Sequence, residues 1–398
     1  MQIKDRMYID RAVQLDSICE NFIDMVMDLY DIPGIAVGVY AGKPEGNSGD
    51  GTPYLFTGAG GYRNYETKEL MKPDTVFHCT SVSKLFTAMG IMKLVESGKL
   101  ALSDRLCDVV PSMSIADKRW ENITIESMLT HTSGLTDVSD YGWGKHRSDV
   151  DALKEYALSD EVAGRKLLWE PAVSTDSSDG AHAGKFRYSS MAYDLLGLVI
   201  AEVSELTFED YMKQEIFEPQ GMDDTTFDTY DRIKGSDEFL KAADRIGLAM
   251  PHSKGRDRVI RLENTYPYTR QHAPSSTLTS TAGDLLKWAG GLLEREPQGA
   301  PLHMDSLQDM WAPRAEVPDT GEQMGLGWFI REQNVSVDRD DMTGIDTYTL
   351  VGHEGSDDGF RTSFWICPDL GIATVLLCNL TDAPLKKLNK KLFEKLVK

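Results

Sequence analysis

The first part of the chain changes from a helical to a strand-like spacing of its apolar residues. Near the start these residues lie three or four positions apart, which places them on one face of an α-helix; they are Leu15, Ile18, Phe22, Val26 and Leu29. The segment "GIAVGVYAG" at 34–42 is instead an unbroken run of small and apolar residues, which predicts a buried strand. A turn, "GNSGDGTP" at 46–53, and a return strand, "YLFTGAGGYRN" at 54–64, are predicted after it.

A longer helical pattern occupies "FHCTSVSKLFTAMGIMKLVESGKL" at 77–100. Gly98 stands where a C-terminal cap is expected, and the apolar residues before it keep helical spacing: Val82, Leu85, Phe86, Met89, Met92 and Val95. The hydroxyl of Thr80 or Ser81 could cap the free N–H groups of the first turn. From Ser81 to about Leu293 the chain stays mostly helical, and its clearest loop is 172–185.

Strand patterns return near the end of the chain, in the segments 324–332, 347–355, 360–367 and 371–379. A final helix has lysines on one face and an apolar stripe on the other, formed by Leu385, Leu388, Leu392 and Leu396. The basic face could bind a membrane or a partner. The interpretation we favour is a helix docked on the terminal strands with its lysines in solvent.

Strands at both ends of a helical middle predict one sheet built from both termini. The expected fold class is α/β of the α+β type, with an antiparallel sheet flanked by helices and a mostly helical second lobe. We expect a single catalytic domain over residues 1–398. Its sheet lobe would comprise about 1–80 plus 300–398, and its helical lobe about 81–299.

Composition and charge narrow the possible partners. The 398 residues are 41% hydrophobic and carry a formal net charge of -21, which argues against nucleic acid and anionic membranes as partners. The five cysteines are scattered without C-x-x-C spacing, as expected of reduced thiols. The N-terminal segment lacks the apolar core of a signal peptide, and no apolar run is long enough to span a membrane. A cytoplasmic location is expected.

Several catalytic templates are missing from the sequence. It contains no G-x-S-x-G elbow, no phosphate-binding glycine loop and no H-E-x-x-H. The segment "HEGSD" at 353–357 begins like the last of these but has Asp357 where the second histidine must stand. We therefore expect neither a metal site nor an organic cofactor.

A different set of residues could carry nucleophilic chemistry. Lys84 follows Ser81 by one helical turn and projects from the same face. A lysine acts as a base for a serine hydroxyl only if its surroundings lower its pKa from about 10.4. Tyr188, just before another helix, could exchange protons with Lys84 and the leaving group. His353 and Gly355 lie on a predicted strand that could form a wall of the site.

In order and spacing, Ser81-x-x-Lys84, Tyr188 and His353-x-Gly355 resemble the motifs of the serine β-lactamase and penicillin-binding-protein superfamily. The resemblance is to its class C-like branch, which also holds D-aminopeptidases, D-alanyl-D-alanine carboxypeptidases and family VIII carboxylesterases. It extends over nearly the whole chain through the segments 125–135, 208–227, 278–293 and 324–330.

This resemblance implies a β-lactamase/transpeptidase-like fold and specific roles for the motif residues. Ser81 would be the nucleophile, and its own N–H together with that of Ser356 would stabilise the oxyanion. Lys84, Tyr188 and His353 would complete the catalytic set. Whether Lys84 or Tyr188 takes the serine proton stays open.

Two departures from the usual motifs bear on the substrate. The second motif ends in Ser190 where most relatives have asparagine, and a serine cannot offer both an amide donor and a carbonyl acceptor. The third motif has His353 and Glu354 where β-lactamases have lysine and threonine. If Glu354 faces the pocket it would repel a substrate carboxylate, and if strand alternation turns it away it would not. The expected substrate-binding residues are Ser190, Glu354, Gly355 and Ser356.

The hypothesis is a serine hydrolase that forms an acyl-enzyme on Ser81 and cleaves small esters or amides, of the esterase, D-amino-acid peptidase or amidase type. With Glu354 in the pocket, neutral or amine-bearing substrates would be preferred to anionic ones. One alternative is a β-lactamase or D-alanyl-D-alanine carboxypeptidase. Two others are a penicillin-binding sensor that acylates without turnover and a scaffold with a vestigial site.

Overall fold

A long antiparallel sheet is built from both ends of the chain. The computed structural model describes residues 3–42, 53–172, 185–229, 238–294, 300–339 and 342–398. Within these ranges nine strands pair in the order β3-β2-β1-β13-β12-β11-β10-β9-β8. The strands are β1 Gly34–Ala41, β2 Tyr54–Asn64, β3 Glu69–Leu70, β4 Phe77–His78, β5 His252–Lys254, β6 Ile260–Leu262, β7 Thr279–Ser280, β8 Ala315–Val317, β9 Glu322–Met324, β10 Phe329–Arg339, β11 Met342–Asp357, β12 Phe360–Cys367 and β13 Ile372–Cys378.

Helices cover both faces of this sheet. Two of them, the first and the last, pack on one face, and most of the others form the middle of the chain on the opposite face. The α-helices are α1 Ile3–Leu29, α2 Ser83–Glu96, α3 Leu106–Val109, α4 Ile125–Leu129, α5 Ala152–Ala157, α6 Asp160–Ala163, α7 Ser190–Ser204, α8 Phe208–Met212, α9 Phe239–Arg245, α10 Ala273–Ser276, α11 Ala282–Leu293, α12 Met304–Met310 and α13 Leu385–Val397.

Strand β1 lies between apolar layers that cover both faces of the sheet. All eight of its residues are buried, and it pairs with β2 on one side and β13 on the other. Its side chains alternate between two apolar layers, since Val37 and Val39 pack toward α1 whereas Ala36 and Tyr40 pack toward the helical middle. A strand buried on both faces needs apolar residues at successive positions, which explains its unbroken run.

The terminal helices close the outer face of the sheet. In α13 Leu385, Leu388 and Leu392 are buried against the terminal strands and α1, so the predicted docked helix is confirmed. The stripe of α1 differs from the expected one, because Leu29 is 70% exposed whereas Cys19 is fully buried. Leu29 is the last helical residue, so it lies beyond the contact with the sheet.

The predicted fold class is confirmed: both termini contribute to one antiparallel sheet beside a mostly helical middle. The two-stranded pairs β4–β7 and β5–β6 were not predicted. The turn at 46–53 and the loop at 172–185 lie, except for their end residues, outside the described residues. The boundaries of the two lobes stay predictions. Among the described helices, none has the length and apolarity to cross a bilayer.

Candidate active site

Ser81 lies in a short 3-10 turn, Thr80–Val82, that leads into α2. Thr80 has a left-handed backbone, with φ of 51°, and its hydroxyl lies 2.7 Å from that of Thr362 on β12. Neither Thr80 nor Ser81 caps α2, because its N-cap position is Val82 and no side chain bonds there. The capping interpretation of the polar cluster is therefore wrong.

Lys84 lies beneath Ser81 and is fully buried. Its Nζ donates a hydrogen bond to Ser81 Oγ at 3.2 Å and another to the carbonyl of Ser275 at 2.7 Å. The same nitrogen is 4.9 Å from the centre of the Tyr188 ring. The expected proximity of Ser81 and Lys84, which follows from their spacing on one helical turn, is present.

Tyr188 and His353 border the same space. Tyr188 lies just before α7, and its ring centre is 6.0 Å from that of His353 on β11. Phe329, at the start of β10, packs against both rings. The structure therefore brings together Ser81 and the other three residues of the predicted catalytic set.

A neutral histidine was missed by the sequence-based prediction. His131 is fully buried with its ring 4.5 Å from Tyr188, and its Nδ1 accepts a hydrogen bond from the Ser189 N–H at 3.1 Å. Burial lowers the pKa of His131 well below its usual range, and nearby Lys84 adds to this effect. Its segment, "LTHTSG", carried the family resemblance but gave no sign of contact with Tyr188.

His353 is also held in its neutral form. Its Nδ1 donates a hydrogen bond to the backbone carbonyl of Glu354, so its Nε2 carries the lone pair. Within the described residues Nε2 has no hydrogen-bond partner. Burial, together with nearby Lys84, lowers the pKa of His353 to about 3. At pH 7 this side chain is therefore a hydrogen-bond acceptor, unlike the lysine of the usual third motif.

Glu354 projects away from Ser81 but is still among the residues that line the cleft. Side chains alternate along β11, so Glu354 projects from the face of the sheet opposite to His353. Its carboxylate accepts hydrogen bonds from Trp365 Nε1 at 2.7 Å and Ser363 Oγ at 3.1 Å, and lies 3.5 Å from Arg331. Burial raises the pKa of Glu354, and Arg331 partly offsets this. The expected repulsion would therefore act on a substrate carboxylate in the part of the cleft that Glu354 lines, and not directly beside Ser81.

Ser190 does not line the cleft, contrary to expectation. It is fully buried, its hydroxyl accepts a hydrogen bond from Tyr141 Oη at 2.6 Å, and its N–H donates to Asp137 at 2.7 Å. Tyr141 occupies the space that a side chain longer than serine would need. Tyr141 itself lines the cleft and comes from an irregular loop whose sequence has no periodicity to place it.

Ser81, Tyr188 and His353 line a cleft of about 710 Å³. Strand β10 begins opposite Gly352, so β11 has a partner on only one side from His353 onward, namely β12. The free edge of β11 therefore faces the cleft, which is lined by Ser81, Asp137, Tyr141, Tyr188, Glu322, Phe329, His353, Glu354, Gly355, Ser356, Asp357, Arg361, Trp365, Ala383, Pro384, Leu385, Lys386 and Lys387. Gly355 and Ser356, two of the expected substrate-binding residues, belong to this edge.

Asp357, at the end of this edge, is held by two side chains. Its carboxylate pairs with His78 Nε2 at 2.8 Å and accepts a hydrogen bond from Ser276 Oγ. In the sequence, Asp357 stands where the H-E-x-x-H motif needs its second histidine. No group of three or more potential metal-binding side chains occurs in the described part of the chain.

Comparison with known proteins identifies the family. A family model described as Beta-lactamase matches residues 20–396. The chain belongs to the Beta-lactamase family. Among curated relatives, "Protein flp" of Staphylococcus aureus strain MW2 is 25% identical over 394 residues, which cover 98% of this chain and 68% of that protein. The superfamily resemblance is thereby confirmed.

Solved structures of the superfamily share this fold. An octameric penicillin-binding protein homologue from Pyrococcus abyssi matches with a TM-score of 0.72 and 24% identity, over 95% of this chain and 76% of that one. The D-amino acid amidase of Ochrobactrum anthropi SV3 matches with a TM-score of 0.67 and 19% identity, over 98% and 97%. At these identities the likeness concerns the fold, and the superfamily supports a hydrolase role.

Within this family fold, Gly355 leaves room for the turn that carries Ser81. A Cβ added at Gly355 would lie 1.6 Å from Thr80 Oγ1 and 2.2 Å from Thr362 Oγ1. Atoms cannot approach so closely, and both neighbours are buried β-branched residues with restricted rotamers. A side chain at position 355 must therefore move the residue before Ser81.

We predict that Gly355→Ala lowers kcat/KM by about 100-fold or more, since a displacement of about 1 Å in a reacting group has that effect. Activity on a reactive ester measures the loss, and circular dichroism checks that the fold is kept. Gly283→Ala is the matched control, because an added Cβ there has only an ordinary contact at 3.7 Å. Unchanged activity in Gly355→Ala would show that the close approach does not position Ser81.

Acid should destabilise the protein through its neutral buried histidines. The pKa of His353 is about 3 in the folded state and 6.5 in a model compound, so the unfolded state binds more protons between these values. The free energy of unfolding therefore falls as the pH is lowered through this window. The expected loss for such a histidine is about 2 kcal/mol between pH 7 and pH 5.

Urea denaturation of the unaltered protein and of His353→Gln at both pH values measures this contribution. The variant should lose about 2 kcal/mol less than the unaltered protein on acidification. Buried carboxylates with raised pKa values, such as Asp194 and Glu209, stabilise the folded state as the pH falls. The test therefore compares the change in unfolding free energy between proteins, and not the size of that change in any one protein. His303→Gln is the control, since the His303 side chain is 87% exposed. Equal losses in all three proteins would contradict a neutral His353.

Proposed function

We propose that the protein is a serine hydrolase that cleaves small amides or esters through an acyl-enzyme on Ser81. The observation that carries this proposal is the fully buried Lys84, whose Nζ lies 3.2 Å from Ser81 Oγ at the wall of the cleft. A serine hydroxyl needs a neighbouring base to become a nucleophile. Membership of the Beta-lactamase family supports the same chemistry.

The reaction would proceed in two stages. Ser81 Oγ attacks the substrate carbonyl carbon and loses its proton to the base, and the carbonyl oxygen becomes an oxyanion. The bond to the leaving amine or alcohol then breaks, and that group takes up a proton as it departs. Water attacks the resulting acyl-enzyme in the same manner, which releases the acid and returns the proton to Ser81.

Two residues are placed to serve as the base. Lys84 can take the proton directly as a neutral amine, at the distance given above. Alternatively, Tyr188 can do so as a phenolate, which the Lys84 ammonium at 4.9 Å from the ring centre would stabilise. The proton passes between the same groups in either case, and Tyr188, at the wall of the cleft, would deliver it to the leaving group.

The oxyanion would be stabilised by backbone N–H groups. Ser81 lies in the first turn of the helical segment Thr80–Glu96, whose N-terminus favours negative charge. Ser356, on the free edge of β11, would supply the second N–H. Across the cleft, the neutral His353 forms part of the wall, although its Nε2 is buried. The fold is shared with a D-amino acid amidase, which supports an amide as substrate.

A penicillin-binding sensor that acylates once differs from this proposal only in deacylation. A panel of p-nitrophenyl acetate, D-amino-acid amides and nitrocefin therefore separates the candidates. Sustained turnover supports a hydrolase, and the preferred compound identifies the esterase, amidase or β-lactamase type. A single burst equal to the protein concentration would support the sensor.

We predict that Ser81→Ala abolishes turnover, with a loss of about 10⁴-fold or more in kcat, and blocks covalent labelling by a fluorophosphonate. Mass spectrometry of the labelled protein locates the adduct. Ser97→Ala is the control, since Ser97 is exposed at the far end of α2 and should leave both readouts unchanged. Full activity or labelling in Ser81→Ala would overturn the mechanism.

A further inference from the structure

The carbonyl that holds Lys84 comes from a helix of a single turn. The shorter of the two hydrogen bonds of Lys84 Nζ, at 2.7 Å, goes to Ser275 in α10. This short helix lies between α2 and α7. Thr87 on α2 donates a hydrogen bond to the Pro274 carbonyl at 2.7 Å, and a Cβ added at Gly197 on α7 would lie 2.0 Å from Pro274 Cγ. A helix of one turn has few hydrogen bonds of its own, so its neighbours determine its position.

A buried histidine and a buried carboxylate connect the start of α10 to α7. His272 is the N-cap residue of α10. Its Nε2 accepts a hydrogen bond from Gln271 Nε2 at 2.9 Å, so its Nδ1 carries the hydrogen and donates to Asp194 Oδ2 at 2.7 Å. Both His272 and Asp194 are fully buried, and the rings of Tyr141 and Tyr156 pack edge-on against His272. This pair therefore fixes the beginning of the helix that carries the Ser275 carbonyl.

Asp194 also places a negative charge near the buried ammonium of Lys84. Burial raises the pKa of Asp194, and His272 and Lys84 partly offset this. Within the ranges described, its Oδ1 has no hydrogen-bond partner. A buried carboxylate with so few partners is costly for folding, and such groups are concentrated at functional sites. The other titratable side chains that face these two charges are His131, His353, Tyr156, Tyr188 and Tyr193.

We propose that Asp194 and His272 form a positioning pair for Lys84. Through α10 the pair holds the Ser275 carbonyl against Lys84 Nζ and thereby keeps this nitrogen beside Ser81, while the carboxylate favours the ammonium form of Lys84. Both residues are fully buried, so they act through Lys84 and not on the substrate. The inference rests on the proposed function, in which Lys84 exchanges a proton at Ser81.

The first test measures how fast a fluorophosphonate labels Ser81, as a maximal rate and a half-saturating concentration. His272→Ala should lower the maximal rate by about 10- to 100-fold, since a shift of about 1 Å in a reacting group has such an effect. The half-saturating concentration should change by less than about twofold, because contacts with the reagent are kept. His272→Asn offers an amide N–H in place of Nδ1 and should recover most of the rate.

His303→Ala is the control for these variants, since the His303 side chain is 87% exposed. Urea denaturation checks that each protein is folded under the assay conditions. Equal losses in His272→Ala and His272→Asn, or a loss that lies wholly in the half-saturating concentration, would contradict a positioning role.

The second test concerns the charge on Asp194. Asp194→Asn keeps the size of the side chain and an oxygen that accepts the His272 hydrogen bond. Because a nearby negative charge favours the ammonium, its removal should move the acid limb of the labelling rate to lower pH by about 0.5 unit or more. Asp305→Asn, at an exposed position, should leave the limb in place. A lower rate at every pH with an unmoved limb would show that Asp194 has only a structural role.

Crystal structures make the inference testable without any reaction. In His272→Ala the distance from Lys84 Nζ to Ser81 Oγ or to the Ser275 carbonyl should increase by about 1 Å or more, and in His272→Asn both contacts should be kept. Unchanged contacts in His272→Ala would overturn the proposal. Failure of the unaltered protein to label at Ser81 would instead count against the proposed function, and the structures would still decide whether the pair positions Lys84.

Discussion

The contact between the turn before Ser81 and the strands β11 and β12 is the constraint on which the site depends. Thr80 and Thr362 are 282 positions apart, yet their hydroxyls lie 2.7 Å from each other. Thr362 also donates a hydrogen bond to the Cys79 carbonyl, at 3.0 Å. A left-handed backbone at a β-branched residue is strained by about 1–3 kcal/mol, and these buried hydrogen bonds offset that strain. The absence of a side chain at Gly355 lets the two segments approach.

Both ends of the chain contribute strands to the antiparallel sheet. Strand β1 lies between β2 and β13, so the N-terminal strands are joined to β12 and β11 through one continuous hydrogen-bonded ladder. The helical middle packs on one face and brings Lys84 and Tyr188 to the edge of β11. Burying an ammonium is costly, and among the described residues no carboxylate pairs with Lys84. The Ser275 carbonyl, the Ser81 hydroxyl and the faces of Tyr188 and Tyr193 surround it instead.

The features of the fold and the site that could be predicted are those that arise between residues close together in the sequence. The proximity of Ser81 and Lys84 follows from one helical turn, and the long strands and helices follow from their apolar patterns. The alternation of side chains along β11 predicts that His353 and Glu354 project from opposite faces of the sheet. Only the pairing of β11 with β12 determines which of the two faces Ser81. Strands β4 and β7 have two residues each, too few for any pattern.

Side chains on irregular segments were beyond the reach of pattern analysis. Tyr141 covers Ser190 from a loop, and no spacing rule relates the two. His131 approaches Tyr188 because the segment after α4 turns back, with a left-handed backbone at His131 itself. Both contacts arise from tertiary packing, which a single sequence does not encode in any local period.

The net charge of the chain does not predict the charge balance inside the cleft. A net charge of -21 acts over long distances, and at physiological ionic strength it is largely screened beyond about 8 Å. Within the cleft the balance is set by which groups already have partners. Glu322 pairs with Lys386, Glu354 lies close to Arg331 and His353 is neutral, so the net charge of the chain does not by itself determine the charge balance in the cleft.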